Sequence, residues 1–112
     1  MKVKFKIWDC VAMPLRYGNG RKAIELVDHI TSEPIAVATV NIVDQESTSW
    51  NHVFIKDYSE NEGMEYALYK AGIITEVYSK AVTTGFIVVN EFELTDEAIK
   101  MWEPRKYEEE QS

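Results

Sequence analysis

Alternating apolar and polar positions in the first half of the chain predict β-strands. Residues 2–8 alternate with a period of two, which places apolar side chains on one face and three lysines on the other. Residues 9–21 lose this alternation, and the Gly-Asn-Gly sequence at 18–20 favours a tight turn, so a loop or an irregular strand end that closes in a tight turn is predicted there. Further strands are predicted from runs rich in Val, Ile and Thr, over 22–30, 35–42 and 52–56.

The spacing of apolar residues then becomes helical. Ser59 and Glu62 have the spacing of a capping box, in which each side chain accepts a hydrogen bond from a backbone N–H of the first turn. Apolar residues recur on one helix face after them, and Gly72 follows where a helix commonly ends. Two more strands are predicted, over 73–78 and 84–94.

The order of these elements predicts an α+β fold. A short C-terminal helix capped by Thr95 and stopped by Pro104 completes the order β-β-β-β-α-β-β-α. We expect a curled antiparallel sheet of about five to six strands that packs on one main helix. Residues 1–104 are expected to form a single domain. The acidic tail, 105–112, has too little apolar surface to offset the entropy lost on ordering, and is expected to be disordered.

Length and composition exclude several classes of protein. The chain has 112 residues, of which 46% are hydrophobic and 28% charged, which is the balance of one soluble domain. Its apolar stretches are far shorter than the roughly 20 residues that span a bilayer. The alternating N-terminus also differs from the continuous apolar block of a secretory signal. A cytoplasmic protein without membrane contact is therefore expected.

The charge is unevenly distributed along the chain. Residues 1–22 carry a net charge of +5 and residues 23–112 carry −12, which together make the formal net charge of −7. Nucleic-acid affinity depends on clustered Lys and Arg that neutralise phosphates, so direct nucleic-acid binding is not expected. An acidic chain suits either solubility or a basic protein partner.

The sequence contains no recognisable catalytic or metal-binding motif. The single cysteine, Cys10, has no partner for a disulfide or a paired zinc site, and its apolar neighbours predict a core position. His29 follows Asp28 on a predicted strand, so the two side chains point to opposite faces, and His52 has no local nucleophile to activate. We therefore expect no enzymatic activity, no metal and no cofactor.

A run of acidic residues surrounds the predicted helix start. It does not form a calcium loop, because Glu62 stands where the sharp turn of such a loop needs glycine. Two interpretations remain open: acidic residues that stabilise the helix start, or a surface that presents negative charge to a protein. The candidate binding residues of this run are Asp57, Glu60, Glu62 and Glu65.

A second candidate contact surface is the basic turn near the N-terminus. Three cations and one aromatic ring surround the flexible Gly-Asn-Gly sequence, where they could grip an acidic surface or a phosphate. The residues of this basic turn are Arg16, Tyr17, Arg21 and Lys22. Tyr66 and Tyr69 lie off the apolar face of the helix, so they are also predicted to be exposed and available for protein contacts.

Several segments resemble a family of short uncharacterised proteins (a domain of unknown function) from Gram-positive gut bacteria, their plasmids, conjugative elements and phages. The similarity runs from about Arg16 to Leu94, and its most specific block is IKDYSENEG at 55–63. The other matching segments are YGNGR at 17–21, AIELV at 23–27, ATVN at 38–41 and TGF at 84–86. The resemblance implies a small accessory protein and no established activity or catalytic residues.

Two functional hypotheses follow. The first is a small non-enzymatic binding or regulatory accessory protein of a bacterial mobile element or phage that acts through protein–protein contacts. One form of it is an inhibitor of a host defence protein or a nucleic-acid-binding protein, in which carboxylates imitate phosphates. The alternative is a small-molecule sensor or cryptic enzyme with a pocket beside the sheet that contains His29 or His52.

Overall fold

The first half of the chain forms a four-stranded antiparallel sheet. The computed structural model describes residues 1–103 of the protein. The strands of this first sheet lie side by side in chain order. They are β1 (Lys2–Phe5), β2 (Trp8–Arg16), β3 (Lys22–Asp28) and β4 (Pro34–Val37).

The second sheet has three antiparallel strands, with the last one in the centre. They are β5 (His52–Ile55), β6 (Lys80–Thr84) and β7 (Ile87–Glu93), in the order β5-β7-β6. The α+β class is confirmed, but two sheets stand where a single curled sheet was expected.

A short segment after β4 explains this division. Ala38 N still donates to Ile24 O of the first sheet at 2.8 Å. Val40 N then donates to Phe54 O at 3.0 Å, and Lys56 N to Ala38 O at 2.9 Å, so the chain turns from one sheet to the other. The strand predicted over 35–42 therefore ends at Val37, and the residues that follow it join the two sheets.

Three strand predictions differ from the structure. Residues 9–21, predicted as a loop or an irregular strand end, contain most of β2 as a regular strand, where small inward side chains such as Cys10 and Ala12 conceal the alternation. The expected strand over 73–78 forms only an isolated bridge between Ile74 and Leu94. The expected connection before residue 84 is β6, and the turn of the β6–β7 hairpin falls at 85–86.

Two short helices complete the described residues. Helix α1 (Met64–Lys70) follows a 3-10 turn at Ser59–Asn61, and α2 (Asp96–Ile99) continues into a 3-10 turn at Lys100–Trp102. The predicted cap of α2 is confirmed, because Ala98 N donates to Thr95 Oγ1 at 3.1 Å. Pro104 and the predicted tail, 105–112, lie outside the described residues. Within residues 1–103, no helix is long and apolar enough to cross a membrane.

The main core lies between the two sheets and α1. The helix contributes its predicted apolar face, and the first sheet contributes inward side chains from three strands. A smaller core covers the other face of the second sheet, where Ile42, Phe54 and Val89 are buried together. Members of the main core include Val3, Phe5, Cys10, Ile24, Leu26, Ile55, Met64, Leu68, Phe92 and Leu94.

Candidate functional site

Asp57 holds the start of α1. Its Oδ1 accepts a hydrogen bond from Gly63 N at 2.9 Å, and its Oδ2 accepts one from Glu65 N at 2.8 Å. The predicted capping box between Ser59 and Glu62 is wrong, because neither the 3-10 turn at Ser59 nor α1 has a side-chain cap of this kind. Helix α1 begins at Met64, and its N-cap position is Gly63. An acidic residue of the run thus stabilises the helix start, but this residue is Asp57, which lies six residues before Gly63.

The other acidic residues of the run have different surroundings. Glu60 is exposed and its Oε1 pairs with Lys56 Nζ at 2.7 Å, which lowers the pKa of its carboxyl. Glu62 is exposed to solvent. Glu65 is half-buried, and its pKa is raised by burial and by the neighbouring charge of Asp57, although Asn90 Nδ2 donates to it at 3.2 Å.

Glu65 lines an open groove beside α1, which we call the Tyr66 groove. The groove has a volume of about 310 Å³ and is bounded by Glu65, Tyr66, Tyr69, Glu76 and Phe92. The predicted exposure of its tyrosines is confirmed, since 68% of Tyr66 and 41% of Tyr69 are accessible to solvent. The groove therefore combines aromatic rings with two carboxylates.

Phe92 of the groove also contacts a tyrosine that is not among the residues bounding it. The rings of Tyr78 and Phe92 are in edge contact, with centroids 6.4 Å apart and planes at 76°. Phe92 itself is buried to 4% exposure and belongs to the main core. One wall of the groove is therefore anchored in the core, while Tyr66 on the other wall faces solvent.

The side chains of the basic turn form hydrogen bonds with other groups of the same chain. Arg16 Nη1 donates to Gly20 O at 2.8 Å, and the Tyr17 hydroxyl shares a hydrogen bond with Thr39 Oγ1 at 2.8 Å. The Arg21 guanidinium donates to two carbonyl groups of the 42–45 loop. A ligand at this turn would have to compete with these hydrogen bonds.

Lys22 is the most enclosed residue of the basic turn. It is only 8% exposed, and its Nζ donates to Trp50 O at 3.0 Å and to Asn51 Oδ1 at 3.3 Å. Burial, and then the nearby charge of Arg16, lower its pKa. The cation joins β3 to the loop before β5. A binding role for Arg16, Tyr17, Arg21 and Lys22 stays a prediction.

The two histidines lie in different places. His52 is half-buried at the start of β5, with its Nδ1 and Ser49 Oγ 2.8 Å apart. His29 is exposed after the end of β3 and lines a cavity that also reaches Cys10. Cys10 is buried as predicted, with 1% exposure. Within residues 1–103, no three His, Cys, Asp or Glu side chains are grouped so that they could hold a metal ion.

Comparisons with known proteins leave the chain without a family. No family model, no curated protein and no solved structure matches it. The resemblance to short proteins of Gram-positive mobile elements therefore stays a prediction, and the function has to be argued from this structure alone.

Three of the five residues that bound the Tyr66 groove were predicted from the sequence to lie at a contact surface. Glu65 belongs to the predicted acidic run, and the tyrosines follow from their position off the apolar helix face. Glu76 and Phe92 were missed, because they come from the loop after α1 and from β7. No local pattern marks them, since only the packing of β7 against α1 brings them to the same groove.

Proposed function

We propose that this chain is a small non-enzymatic binding protein whose Tyr66 groove receives a basic side chain of a protein partner. The observation that carries the proposal is the groove itself, in which exposed tyrosines stand beside the carboxylates of Glu65 and Glu76. Tyrosines are enriched at the energetic centres of protein interfaces, and carboxylates select cationic partners.

The chemistry of the groove favours arginine. A guanidinium stacks on an aromatic face and binds a carboxylate through two parallel hydrogen bonds, whereas an ammonium acts as a point charge. Burial and the charge of Asp57 raise the pKa of Glu65, and an incoming cation would stabilise the charged form of its carboxyl group. Affinity for a cation should therefore increase as the pH rises through the pKa of Glu65.

The class of partner follows from charge. The chain has a formal net charge of −7, and its acidic residues are concentrated after residue 22. A partner with a basic surface is attracted over a longer range than the groove itself reaches. Nucleic-acid-binding proteins have such surfaces, and this supports the proposal of an accessory protein that inhibits one of them.

The test uses a short blocked peptide in which glycines separate the arginines, titrated into the ¹⁵N-labelled protein and followed by amide chemical shifts. The shifts should centre on the residues of the Tyr66 groove. Tyr66→Ala should weaken binding about tenfold, as truncation of an interface tyrosine often does. Glu76→Gln should weaken it about threefold by removing one exposed charge.

Glu33→Gln is the matched control, because it removes the same charge from an exposed loop outside the groove. The proposal requires that this variant bind like the parent protein and that the equivalent lysine peptide bind more weakly. Equal losses for Glu33→Gln and Glu76→Gln would show that net charge alone attracts the peptide. Shifts that centre on another surface would also contradict the proposal.

A further inference from the structure

A second cavity, which we call the Cys10 cavity, lies where β1 and β2 meet the end of α1. Its volume is about 450 Å³, and it opens to solvent near His29. The cavity is separate from the Tyr66 groove, since the two have no lining residue in common. Its size is within the range of roughly 300–1,000 Å³ that is usual for small-molecule sites.

The inner wall of the Cys10 cavity is apolar and made of small side chains. Val3 and Cys10 come from β1 and β2, and Ala67 and Ala71 come from α1 and its end. The small size of the alanines leaves space between the helix and the sheet. Among residues 1–103, no Phe, Tyr or Trp side chain lines this cavity, so the wall suits an aliphatic group better than a flat ring that would stack.

The rim of the cavity is cationic, in contrast to the chain as a whole. Among residues 1–103, Lys2, Lys4 and Lys70 lie there with a single carboxylate, that of Asp9, while the chain has a formal net charge of −7. Asp9 Oδ1 already pairs with Lys4 Nζ at 3.3 Å. Within residues 1–103, Lys2 and Lys70 take part in no ion pair. Lys2 lies on the face of β1 opposite Val3, so Lys70 is the ammonium group available to an anion beside the apolar wall.

One ring nitrogen of His29, on the rim of the cavity, is hydrogen-bonded to the backbone. His29 Nδ1 is 2.9 Å from Asp9 O. A carbonyl oxygen only accepts, so Nδ1 donates its proton, and Nε2 is the nitrogen that remains for a second partner. The ring thus adds a polar group of defined orientation to the rim.

The cavity is not suited to covalent capture of a ligand by its cysteine. Burial raises the pKa of the Cys10 thiol, and the charges of Asp28 and Asp9 raise it further. The reactive form of cysteine is the thiolate, which this surrounding disfavours at neutral pH. The thiol therefore acts as part of the apolar wall.

We infer that the Cys10 cavity binds, without covalent chemistry, a small aliphatic carboxylate whose head group contacts Lys70 and whose chain contacts Val3, Cys10, Ala67 and Ala71. A single negative charge fits better than a doubly charged phosphate. The carbonyl end of α1, at Lys70 and Ala71, lies on this rim, and its partial negative charge disfavours a doubly charged ligand more than a singly charged one.

The test is a titration of the full chain with decanoate, followed by amide chemical shifts and compared with decanol and inorganic phosphate. Decanoate should shift the residues of the cavity, and decanol and phosphate should bind at least about tenfold more weakly because each has only part of the required chemistry. Lys70→Gln should weaken decanoate binding about threefold to fivefold. Lys100→Gln, at the exposed end of α2, removes the same charge elsewhere and should have no effect.

A second variant fills the space instead of removing charge. Ala71→Leu should abolish the decanoate shifts, and its melting temperature shows whether the variant folds. If Ala71→Leu does not fold, the comparison of Lys70→Gln with Lys100→Gln decides. The inference is overturned if decanoate gives no shifts in the cavity, if decanol binds equally well, or if both lysine variants lose the same affinity. It does not depend on the Tyr66 groove, so either site can fail without the other.

Discussion

Glu91 in the middle of β7 is the most enclosed acidic residue of the described chain, with no surface exposed to solvent. Its carboxylate accepts hydrogen bonds from Thr48 N at 3.0 Å, from the Thr48 hydroxyl, and from Ser79 Oγ at 2.6 Å. Burial alone would raise its pKa, but these hydrogen bonds favour the charged form more strongly and lower it. Glu91 therefore binds the loop around Thr48 and the segment before β6 to the second sheet.

We predict that Glu91→Gln destabilises the protein by about 2 kcal/mol at pH 7, because a side-chain amide would face the donors that the carboxylate now accepts from. The stabilising effect of a lowered pKa is present above the unfolded-state value, about 4.3 for glutamate, and is lost as the pH falls through the lower folded-state value. The difference between the variant and the parent protein should therefore shrink in acid.

Urea unfolding at pH 7 and at pH 3.5 measures this difference. Glu93→Gln is the control, because Glu93 lies on the same strand and is exposed. A stability difference for Glu91→Gln that stays constant between the two pH values would show that the charge of Glu91 does not matter. An equal loss for Glu93→Gln would contradict the special role of position 91.

At the scale of the element, the start of α1 depends on Asp57. We predict that Asp57→Ala costs about 1 kcal/mol of unfolding free energy, because Gly63 N and Glu65 N lose their acceptor. Asp57→Asn should cost less, since an amide oxygen can still accept one of the two hydrogen bonds. Urea unfolding of the two variants tests the order.

Ser59→Ala distinguishes this arrangement from the capping box that the sequence suggests. It should change the stability little, because the Ser59 hydroxyl caps neither the 3-10 turn nor α1. The backbone at Ser59 has a φ of 53°, so Ser59→Gly should be neutral or slightly stabilising. A loss of about 1 kcal/mol in Ser59→Ala with no loss in Asp57→Ala would reverse the assignment.

At the scale of the whole molecule, the two sheets are joined through Thr39. Its backbone pairs with Ile55 of the second sheet, while its Oγ1 bonds with the Tyr17 hydroxyl at 2.8 Å and accepts from Ile24 N at 3.3 Å in the first. Thr39 is 3% exposed, so its hydroxyl has little access to water as an alternative partner. The hydrogen bond to Tyr17 thus ties the basic turn to the junction of the sheets.

We predict that Thr39→Val destabilises the protein by about 1–2 kcal/mol, because it leaves Tyr17 and Ile24 N with fewer partners in a buried site. Tyr17→Phe should cost less, since Thr39 keeps its hydrogen bond to Ile24 N. A double-mutant cycle measured by urea unfolding should give a coupling energy of about 1 kcal/mol. Strictly additive losses would show that the contact between Tyr17 and Thr39 contributes nothing to stability.

Local patterns in the sequence determined the features that depend on neighbouring residues. The α+β class, the strands around residues 3, 25 and 54, the apolar face of α1 and the cap at Thr95 all follow from side-chain periodicity or short-range hydrogen bonding. The tight turn at 18–20 also forms, with Gly20 at a φ of 86° and its N–H donating to Tyr17 O. These features do not depend on contacts with distant parts of the chain.

Only the tertiary structure decided the division into two sheets, the helix cap and the two cavities. Residues 38–40 have a strand-like composition, and their turn towards β5 depends on partners more than ten residues away. Asp57 caps α1 because the 3-10 turn folds its carboxylate back onto Gly63 N and Glu65 N, a geometry that no spacing rule contains. The Tyr66 groove and the Cys10 cavity each combine side chains from separate elements, and such combinations depend on packing between distant parts of the chain, which local periodicity does not encode.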